Sequence, residues 1–207
     1  MKVLMLNGSP HKHGCTDTAL CEMKSVLAAQ RIDAEIFWIG TEPVGGCIGC
    51  HGCAQSGKCA FDGKVNEFIE KAKTADGFVF GTPVHYAAPS GSVSAFLDRV
   101  FYAGSANFKY KPGAAVVSCR RGGASAAFDA MNKYFTISSM PVVSSQYWNM
   151  VHGSCADDVR LDGEGMQTVR TLARNMAWML RCIEAGKNAR ILPPEAEKPV
   201  RTDFIRR

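Results

Sequence analysis

The sequence has 207 residues, of which 46% are hydrophobic and 21% are charged. These proportions are ordinary for a globular protein and exclude a disordered, collagenous or low-complexity chain. At roughly 150 residues per domain as a prior, we expect one domain over residues 1–207. The 24 basic and 19 acidic residues give a net charge of +5, and the basic ones are scattered, so we expect no nucleic-acid partner.

The segment MKVLMLNGSP turns polar after a short apolar run. That run is far shorter than the roughly 20 residues needed to cross a bilayer, and it does not have the form of a signal peptide. We therefore expect a cytoplasmic protein with no membrane partner.

Short apolar segments alternate with helical patterns along the chain. Strands are predicted at residues 2–6, 34–39, 77–81, 114–119 and 142–147. Helices are predicted at residues 16–30, 64–74, 92–102, 124–135 and 164–185, with Gly186 ending the last one. This alternation predicts an α/β doubly wound sandwich around a five-stranded parallel sheet. Ligands of such sheets bind beyond the carboxyl ends of the strands, so the site is expected in the loops after strands one, three and four.

The first of these loops, NGSPHKHGCTDT, opens directly into a helix. Its small residues let a ligand approach the backbone, and the hydroxyls of Ser9, Thr16 and Thr18 can donate hydrogen bonds. The helix N-terminus adds unpaired N–H groups and the positive end of the helix dipole. The loop therefore predicts a phosphate site, and capping of the helix by Thr16 or Asp17 is the alternative.

Four of the nine cysteines, Cys47, Cys50, Cys53 and Cys59, have the spacing C-x2-C-x2-C-x5-C. An odd cysteine total without a secretory start argues against a disulfide framework. Glycines beside the thiols let the loop wrap a 4Fe-4S cluster, with the fourth thiolate closing the site. Free or redox-active thiols are the alternative. Zinc is disfavoured because its cysteine pairs usually come from separated knuckles.

Four segments, NGSPHKHGCT, GCIGCHGCAQSGKC, FGTPVHYAAPSGSVSAFLDR and SCRRGGA, resemble in this order the NADPH-dependent FMN reductase family and its iron-sulfur flavoproteins. The resemblance covers about residues 1–150. It implies a three-layer flavodoxin-like sandwich of strand order 2-1-3-4-5, with the phosphate of FMN in the first loop. The positions that this pattern assigns to the phosphate loop are Ser9, His11, Gly14, Cys15, Thr16 and Thr18. Those that it assigns to the flavin ring and the loop after strand four are Thr82, Pro83, Val84, His85, Tyr86, Ser118, Arg120, Gly122 and Gly123.

The sequence also departs from the family pattern. His11 stands where the family usually has arginine, so a permanent positive charge on the phosphate is lost unless Lys12 supplies it. His85 replaces a common aromatic residue and is the candidate catalytic group, able to donate a hydrogen bond or a proton. A histidine packed only for shape is the alternative. Asp98 and Arg99 are expected to form a structural or interface ion pair.

The resemblance implies an oxidoreductase that takes hydride from NAD(P)H onto FMN and reduces a flavin, a quinone-like compound or a redox protein. It further implies a homodimer or homotetramer with the flavin near a subunit interface. One alternative is an iron-sulfur electron-transfer protein with a ferredoxin-like donor. Another is a flavin and thiol redox sensor without significant turnover.

Residues 187–207 contain three prolines and read as an extended tail. The tail carries the apolar residues Ile191, Leu192, Val200, Phe204 and Ile205. Ordering a chain segment must be offset by burial, so we expect these side chains to dock across a neighbouring subunit.

Overall fold

A mainly parallel sheet forms the centre of the computed structural model, which describes residues 1–202 and 204. Its strands are β1 (Lys2–Asn7), β2 (Asp33–Trp38), β3 (Gly77–His85), β4 (Ala88–Pro89), β5 (Gly113–Cys119) and β6 (Met150–His152). The parallel strands lie in the order β2-β1-β3-β5-β6, which is the predicted 2-1-3-4-5 when they are numbered among themselves. The sixth strand, β4, was not predicted and pairs antiparallel with β3.

Helices cover both faces of the sheet. They are α1 (Cys15–Ala29), α2 (Cys53–Ser56), α3 (Lys64–Lys73), α4 (Gly91–Gly104), α5 (Ala124–Ile137), α6 (Ala156–Leu161) and α7 (Gly163–Asn188). Successive strand side chains point to opposite faces, so Val3 and Met5 of β1 pack with α1 and α7, whereas Leu4 and Leu6 pack with α3, α4 and α5. The predicted flavodoxin-like sandwich of three layers is confirmed.

Phenylalanines dominate the core between the sheet and α3, α4 and α5. Phe78 and Phe80 of β3 are fully buried, and the ring of Phe80 stacks on Phe135 of α5 with centroids 5.2 Å apart. Phe96 of α4 packs edge-on against Phe68 of α3 at 5.6 Å. Offset and edge-to-face aromatic pairs add about 0.5–1.5 kcal/mol beyond their burial, so α4 is firmly held above the sheet.

The prediction of a strand at residues 142–147 is wrong, because the last strand is Met150–His152. Only Val142 makes a bridge to the sheet, opposite Gly113. The segment then leaves the sheet because its polar groups bond to α7. Ser145 Oγ donates to the Thr168 carbonyl at 2.7 Å, and Asn175 Nδ2 donates to the Ser144 carbonyl at 2.8 Å.

The prediction that Gly186 ends the last helix is also wrong. Helix α7 continues to Asn188, and the left-handed residue after it is Arg190, with φ of 61°. The Gly186 carbonyl accepts a hydrogen bond from the Ile191 N–H at 2.9 Å, which closes the helix end.

Residues 189–202 contain neither helix nor strand, as predicted for an extended tail. In the single chain, the exposed apolar side chains of this tail are Ile191, Leu192, Val200 and Phe204. Ile205, which belongs to the same prediction, lies outside the described residues. Within those residues, no helix combines the length and apolar character needed to cross a membrane.

Candidate functional site

The loops that follow β1 and β3 meet at the carboxyl edge of the sheet. Asn7 at the end of β1 lies beside Gly81 of β3, and the Gly8 N–H donates to the Gly81 carbonyl at 3.0 Å. Ser90 Oγ, at the start of α4, donates to the Gly8 carbonyl at 3.3 Å. A Cβ on Gly8 would lie 1.9 Å from Val93 Cγ2, so only glycine permits this approach.

Asn7 holds the first loop in shape, a role that the sequence analysis missed. Its buried side-chain oxygen accepts from the Ser9 N–H at 3.1 Å. Its amide nitrogen donates to the Lys12 carbonyl at 3.0 Å and to Asp17 Oδ1 at 3.2 Å. A polar residue that closes a buried strand is the sequence signal that could have indicated this role.

Ser9 is buried and fixed by two neighbours. The His11 N–H donates to Ser9 Oγ at 3.1 Å, and Trp38 Nε1 donates to the Ser9 carbonyl at 2.8 Å. Because Oγ accepts that bond, its own hydrogen remains available to a ligand. The Trp38 ring also holds the Lys12 ammonium 5.5 Å from its centroid. Lys12 therefore brings a permanent positive charge to this loop, and His11 is exposed.

Helix α1 begins at Cys15, and its N-cap residue is Gly14, which has no side chain to cap it, so the alternative of capping by Thr16 or Asp17 is wrong. The Asp17 carboxylate instead bonds to Asn7 and, at 3.1 Å, to His13 Nδ1. Thr18 Oγ1 donates to the Gly14 carbonyl at 3.1 Å and is directed at its own helix. The uncapped first-turn N–H groups of α1 are therefore the main donors that the helix offers.

Buried neutral groups link α1 to the far side of the site. Thr16 Oγ1 and Ser118 Oγ of β5 are 2.8 Å apart. Cys15 Sγ donates to the Gly153 carbonyl at 3.5 Å. Burial raises the pKa of the Cys15 thiol, so it stays protonated at neutral pH and adds no negative charge near the expected phosphate.

The residues predicted to border the ring differ in exposure. Thr82 is buried and is used internally: its Oγ1 donates to the Pro83 carbonyl at 2.9 Å and accepts from the Ser90 N–H at 3.1 Å. Pro83 and Val84 are half-buried, whereas His85 and Tyr86 are exposed. The side chains of the last two are therefore open to solvent.

Tyr86 and Ala87 form the two-residue turn between β3 and β4, where His85 pairs with Ala88. Both turn residues have positive φ, 49° and 59°. Such turns favour Asn-Gly, and side chains larger than glycine are strained there. The chain thus keeps a fully exposed tyrosine on a strained turn beside the site.

The loop after β5 touches this turn. Gly123 has φ of 85°, and a Cβ there would lie 2.6 Å from Ala87 Cα. Arg120, Arg121 and Gly122 are exposed on the same loop. The structure therefore brings together the predicted residues of the loops after β1, β3 and β5.

The four-thiol loop, residues 45–61, lies elsewhere. Cys47, Cys50, Cys53 and Cys59 line one cavity together with Phe61, Arg99 and Tyr102 of the chain. All four thiols are free of disulfides. Within residues 1–202 and 204, no three His, Cys, Asp or Glu side chains stand in an arrangement that would hold a metal ion.

The donor chemistry of this cavity still fits an iron-sulfur centre. Its walls contain four soft sulfur donors and no carboxylate. Added Cβ atoms on Gly45, Gly46 and Gly49 would meet nothing within 4 Å, so the loop has room to close around a cluster.

Among the described residues Asp98 and Arg99 do not form the predicted structural ion pair, because α4 directs the two side chains to different neighbours, and the interface alternative stays a prediction. Asp98 Oδ1 accepts from the Tyr134 hydroxyl at 2.6 Å. Burial, and then Asp98, raises the pKa of Tyr134, which therefore donates as a neutral phenol. Arg99 points into the four-thiol loop, where its Nε donates to Cys59 Sγ at 3.2 Å.

Helix α4 connects the two candidate sites. Its N-cap residue, Ser90, bonds to the first loop, and Arg99 and Tyr102 border the thiol cavity. At 1.5 Å per helical residue, these ends are separated by roughly 14 to 18 Å along the helix.

Residues 1–154 match the family described as NADPH-dependent FMN reductase. The chain belongs to this family. It is 29% identical over 192 residues to an iron-sulfur flavoprotein of Methanocaldococcus jannaschii, covering 89% of this chain and 100% of the relative. It is 26% identical over 193 residues to an iron-sulfur flavoprotein of Methanosarcina thermophila, covering 91% and 100%. These matches confirm the resemblance seen in the sequence.

The fold is also that of solved flavodoxin-like structures. A flavodoxin from the domain Archaea superimposes with a TM-score of 0.60 at 14% identity, covering 87% of this chain and 99% of that one. The family membership and the flavoprotein relatives support an FMN-dependent oxidoreductase.

Proposed function

We propose that this member of the FMN reductase family takes hydride from NAD(P)H onto FMN and passes electrons to a flavin, a quinone-like compound or another acceptor. Bound FMN would supply the redox chemistry, and the protein would supply binding, orientation and electrostatics. The observation that carries the proposal is the meeting of three loops at the carboxyl edge beside the uncapped N-terminus of α1.

In this proposal the first loop binds the phosphate of FMN. The first-turn N–H groups of α1 and the hydroxyl of Ser9 donate to it, and Lys12 contributes the permanent positive charge. Thr16 and Ser118 would form the buried base of the phosphate site through their mutual hydrogen bond. The protonated thiol of Cys15 avoids repulsion of the anion.

The other two loops would orient the ring and the co-substrate. His85 and Tyr86 are exposed beside Gly123 and would border the flavin, with His85 donating a hydrogen bond or a proton. Arg120 and Arg121 would receive the phosphates of NAD(P)H, since both guanidinium groups are exposed at a strand's carboxyl end.

FMN titration tests the phosphate loop. Ser9→Ala removes the hydroxyl proposed to donate to the phosphate, together with the bond that this oxygen accepts from the His11 N–H, so it should weaken FMN binding by about 1–3 kcal/mol and lower stability by about 1 kcal/mol. Thr136→Ala, which removes an exposed hydroxyl of α5, is the matched control and should bind like the parent. Failure of the parent protein to bind FMN at micromolar concentration would refute the proposal.

Anaerobic mixing of the FMN-loaded protein with NADPH or NADH tests the hydride donor. Bleaching of the flavin absorbance by either nucleotide supports the proposal. We expect Arg121→Gln to raise KM for the nucleotide while leaving FMN affinity unchanged, because Arg121 is exposed and is not among the positions assigned to FMN. A parent protein that is not reduced by either nucleotide, but is reduced by a ferredoxin-like protein, would favour the second function below.

A second function is favoured by the four thiols on one cavity: electron transfer between a ferredoxin-like donor and the flavin through a 4Fe-4S cluster held by Cys47, Cys50, Cys53 and Cys59. Relatives named iron-sulfur flavoprotein support it.

Iron analysis and an absorption spectrum of protein purified without oxygen test this second function. Iron lost on replacing any of the four cysteines by serine, with FMN retained, is the expected result. If the parent protein contains no iron, the interpretation of the four cysteines as free thiols remains. Slow turnover with every electron acceptor would then indicate a redox sensor.

We further propose that the protein is cytoplasmic and works as a homodimer or homotetramer. The support for assembly is that His85, Tyr86 and Arg120 are exposed in the single chain, so the flavin region has a face that a second subunit could cover.

A further inference from the structure

Arg99 is a charged side chain in an unusual environment. It lies on α4 with only 7% of its surface exposed. Arginines are almost never buried to this extent unless they are paired with an opposite charge. None of the ion pairs found among the described residues includes Arg99. Its charge is therefore buried without a carboxylate to balance it.

Within residues 1–202 and 204, every hydrogen bond that Arg99 makes goes to the four-thiol loop. Its Nε donates to Cys59 Sγ at 3.2 Å, its Nη2 to the Phe61 carbonyl at 3.0 Å and its Nη1 to the Gly45 carbonyl at 3.4 Å. The guanidinium also lies 5.3 Å from the centroid of the Phe61 ring. The carbonyls and the ring are neutral, so the sulfur is the only partner among these that can take a negative charge.

A purely structural role would need only the two carbonyl contacts, which fasten the two ends of the loop to α4. Such a role does not explain why a permanent charge is buried there, because the desolvation of an unbalanced guanidinium costs several kcal/mol. A centre bound by four thiolates carries a net negative charge and would supply the missing balance.

We propose that Arg99 is the residue that balances the charge of the four-thiol centre and raises its reduction potential. The inference rests on the cluster in the second proposed function. An N–H bond to a ligand sulfur and a nearby positive charge both stabilise the form of the cluster that has gained one electron. No bond to the protein is made or broken in that step. Arg99 is thus a positioning residue that acts through Cys59.

The test is a potentiometric titration of protein purified without oxygen and reconstituted with ferrous iron and sulfide, using dithionite as the reductant. Arg99→Gln removes the charge and the bond from Nε. We expect it to lower the ratio of reduced to oxidised cluster at least tenfold at a fixed potential, which is a shift of about 59 mV for one electron. Lys58→Gln, which removes an exposed charge from the same loop, should leave the potential nearly unchanged.

The Arg99→Lys variant distinguishes the effect of the positive charge from that of the hydrogen bond to sulfur. It also provides the test if the Arg99→Gln variant does not fold. It keeps a positive charge but lacks the planar fork that reaches sulfur and carbonyls together, so a smaller downward shift is expected. A lysine variant that holds iron at the parental potential would overturn the proposed N–H to sulfur contribution.

Two further outcomes keep the proposals distinguishable. If the Arg99→Gln variant holds as much iron as the parent and its cluster has the parental reduction potential, Arg99 only fastens the loop. The cluster proposal would then stand. Parent protein that binds no iron after reconstitution would overturn the cluster proposal and this inference together, without touching the flavin site.

Discussion

Gly122 and Gly123 are neighbours in the loop after β5, yet only the second has a backbone that requires glycine. Gly123→Ala would strain a residue with φ of 85° and place Cβ 2.6 Å from Ala87 Cα. We expect it to lower the free energy of unfolding by about 1–3 kcal/mol and to weaken FMN binding by displacing the Tyr86 turn. Thermal unfolding and FMN titration measure both effects.

Gly122→Ala is the matched control for this change. A Cβ on Gly122 would meet nothing within 4 Å, and its φ lies outside the left-handed region. Stability within about 0.5 kcal/mol of the parent is expected. Equal losses in the two alanine variants would contradict the assigned contact between the two loops.

At the residue scale, the sequence indicates the hydrogen-bond donors of the first loop, because these residues are contiguous and directly precede a helix. It does not indicate contacts between residues far apart in the chain. Trp38 donates to the Ser9 carbonyl 29 residues away, and Arg99 donates to Cys59 40 residues away. Such contacts depend on how α4 and β2 are placed by the core, which no local pattern contains.

The β3–β4 hairpin concentrates strain in one element. We expect the double change Tyr86→Asn, Ala87→Gly to raise the free energy of unfolding by about 1–2 kcal/mol, because these residues accept positive φ. It should also weaken FMN binding if the exposed Tyr86 covers the flavin. Chemical denaturation and FMN titration are the measurements.

The control for the hairpin is Ser139→Gly, which relieves another positive φ, 54°, away from the three loops. This variant should gain stability and bind FMN like the parent. A hairpin variant that gains stability with unchanged FMN affinity would show that the strained tyrosine does not contact the flavin.

Strand β2 is held to its neighbours by Glu35. Lys2 Nζ of β1 donates to it at 2.7 Å, and Lys71 Nζ of α3 lies 2.8 Å from its other oxygen. The hydrogen bond from Lys2, followed by that from Lys71, lowers the pKa of Glu35. The ion pairs therefore stabilise the fold above the ordinary pKa of glutamate, and that contribution is lost as pH falls through the lowered value.

Glu35→Gln tests this pH dependence. At pH 7 the variant should be less stable than the parent by at most about 1 kcal/mol, because the pairs are partly exposed. The difference should shrink as pH falls below the ordinary glutamate pKa of about 4.3 and disappear once the pH is below the lowered pKa of the folded state. Urea unfolding at several pH values measures it. A difference that persists unchanged at pH 3 would contradict an ionic cause.

At the element scale, apolar periodicity predicts β1, β3, β5 and the main helices closely. It misplaces the last strand because Val142, Val143 and Tyr147 are residue types that favour β-strands. In the structure, Ser144 and Ser145 of this segment instead form hydrogen bonds with α7. It misses β4 because a strand of two residues, Ala88–Pro89, has no period to detect.

For the whole molecule, the sequence predicts the three-layer fold because alternating strands and helices allow few topologies. That residues 1–207 form one domain stays a prediction. The sequence cannot give the distance between the two candidate sites, because that distance depends on which part of α4 the four-thiol loop contacts. The loop reaches Arg99 and Tyr102, well beyond the N-cap at Ser90.

The apolar side chains that the structure describes in the tail are largely exposed in a single chain. Ile191 is 70% exposed, Leu192 82%, and Val200 and Phe204 95% each. The tail's one hydrogen bond from a distant side chain within the described residues runs from the Tyr110 hydroxyl to the Pro194 carbonyl at 3.2 Å. Burial of these side chains against a second subunit would offset the entropy lost on ordering the tail.

We therefore expect deletion of residues 190–207 to give a smaller species in light scattering and to lower FMN retention, because the exposed residues around the flavin lose the covering subunit. Tyr110→Phe is the control: it removes the bond to Pro194 but keeps every apolar side chain of the tail, so it should leave the mass unchanged. A truncated protein of parental mass and parental FMN affinity would show that the flavin site is complete within one chain. A truncated protein that forms a smaller assembly but keeps the parental FMN affinity would show that the tail contributes to assembly alone.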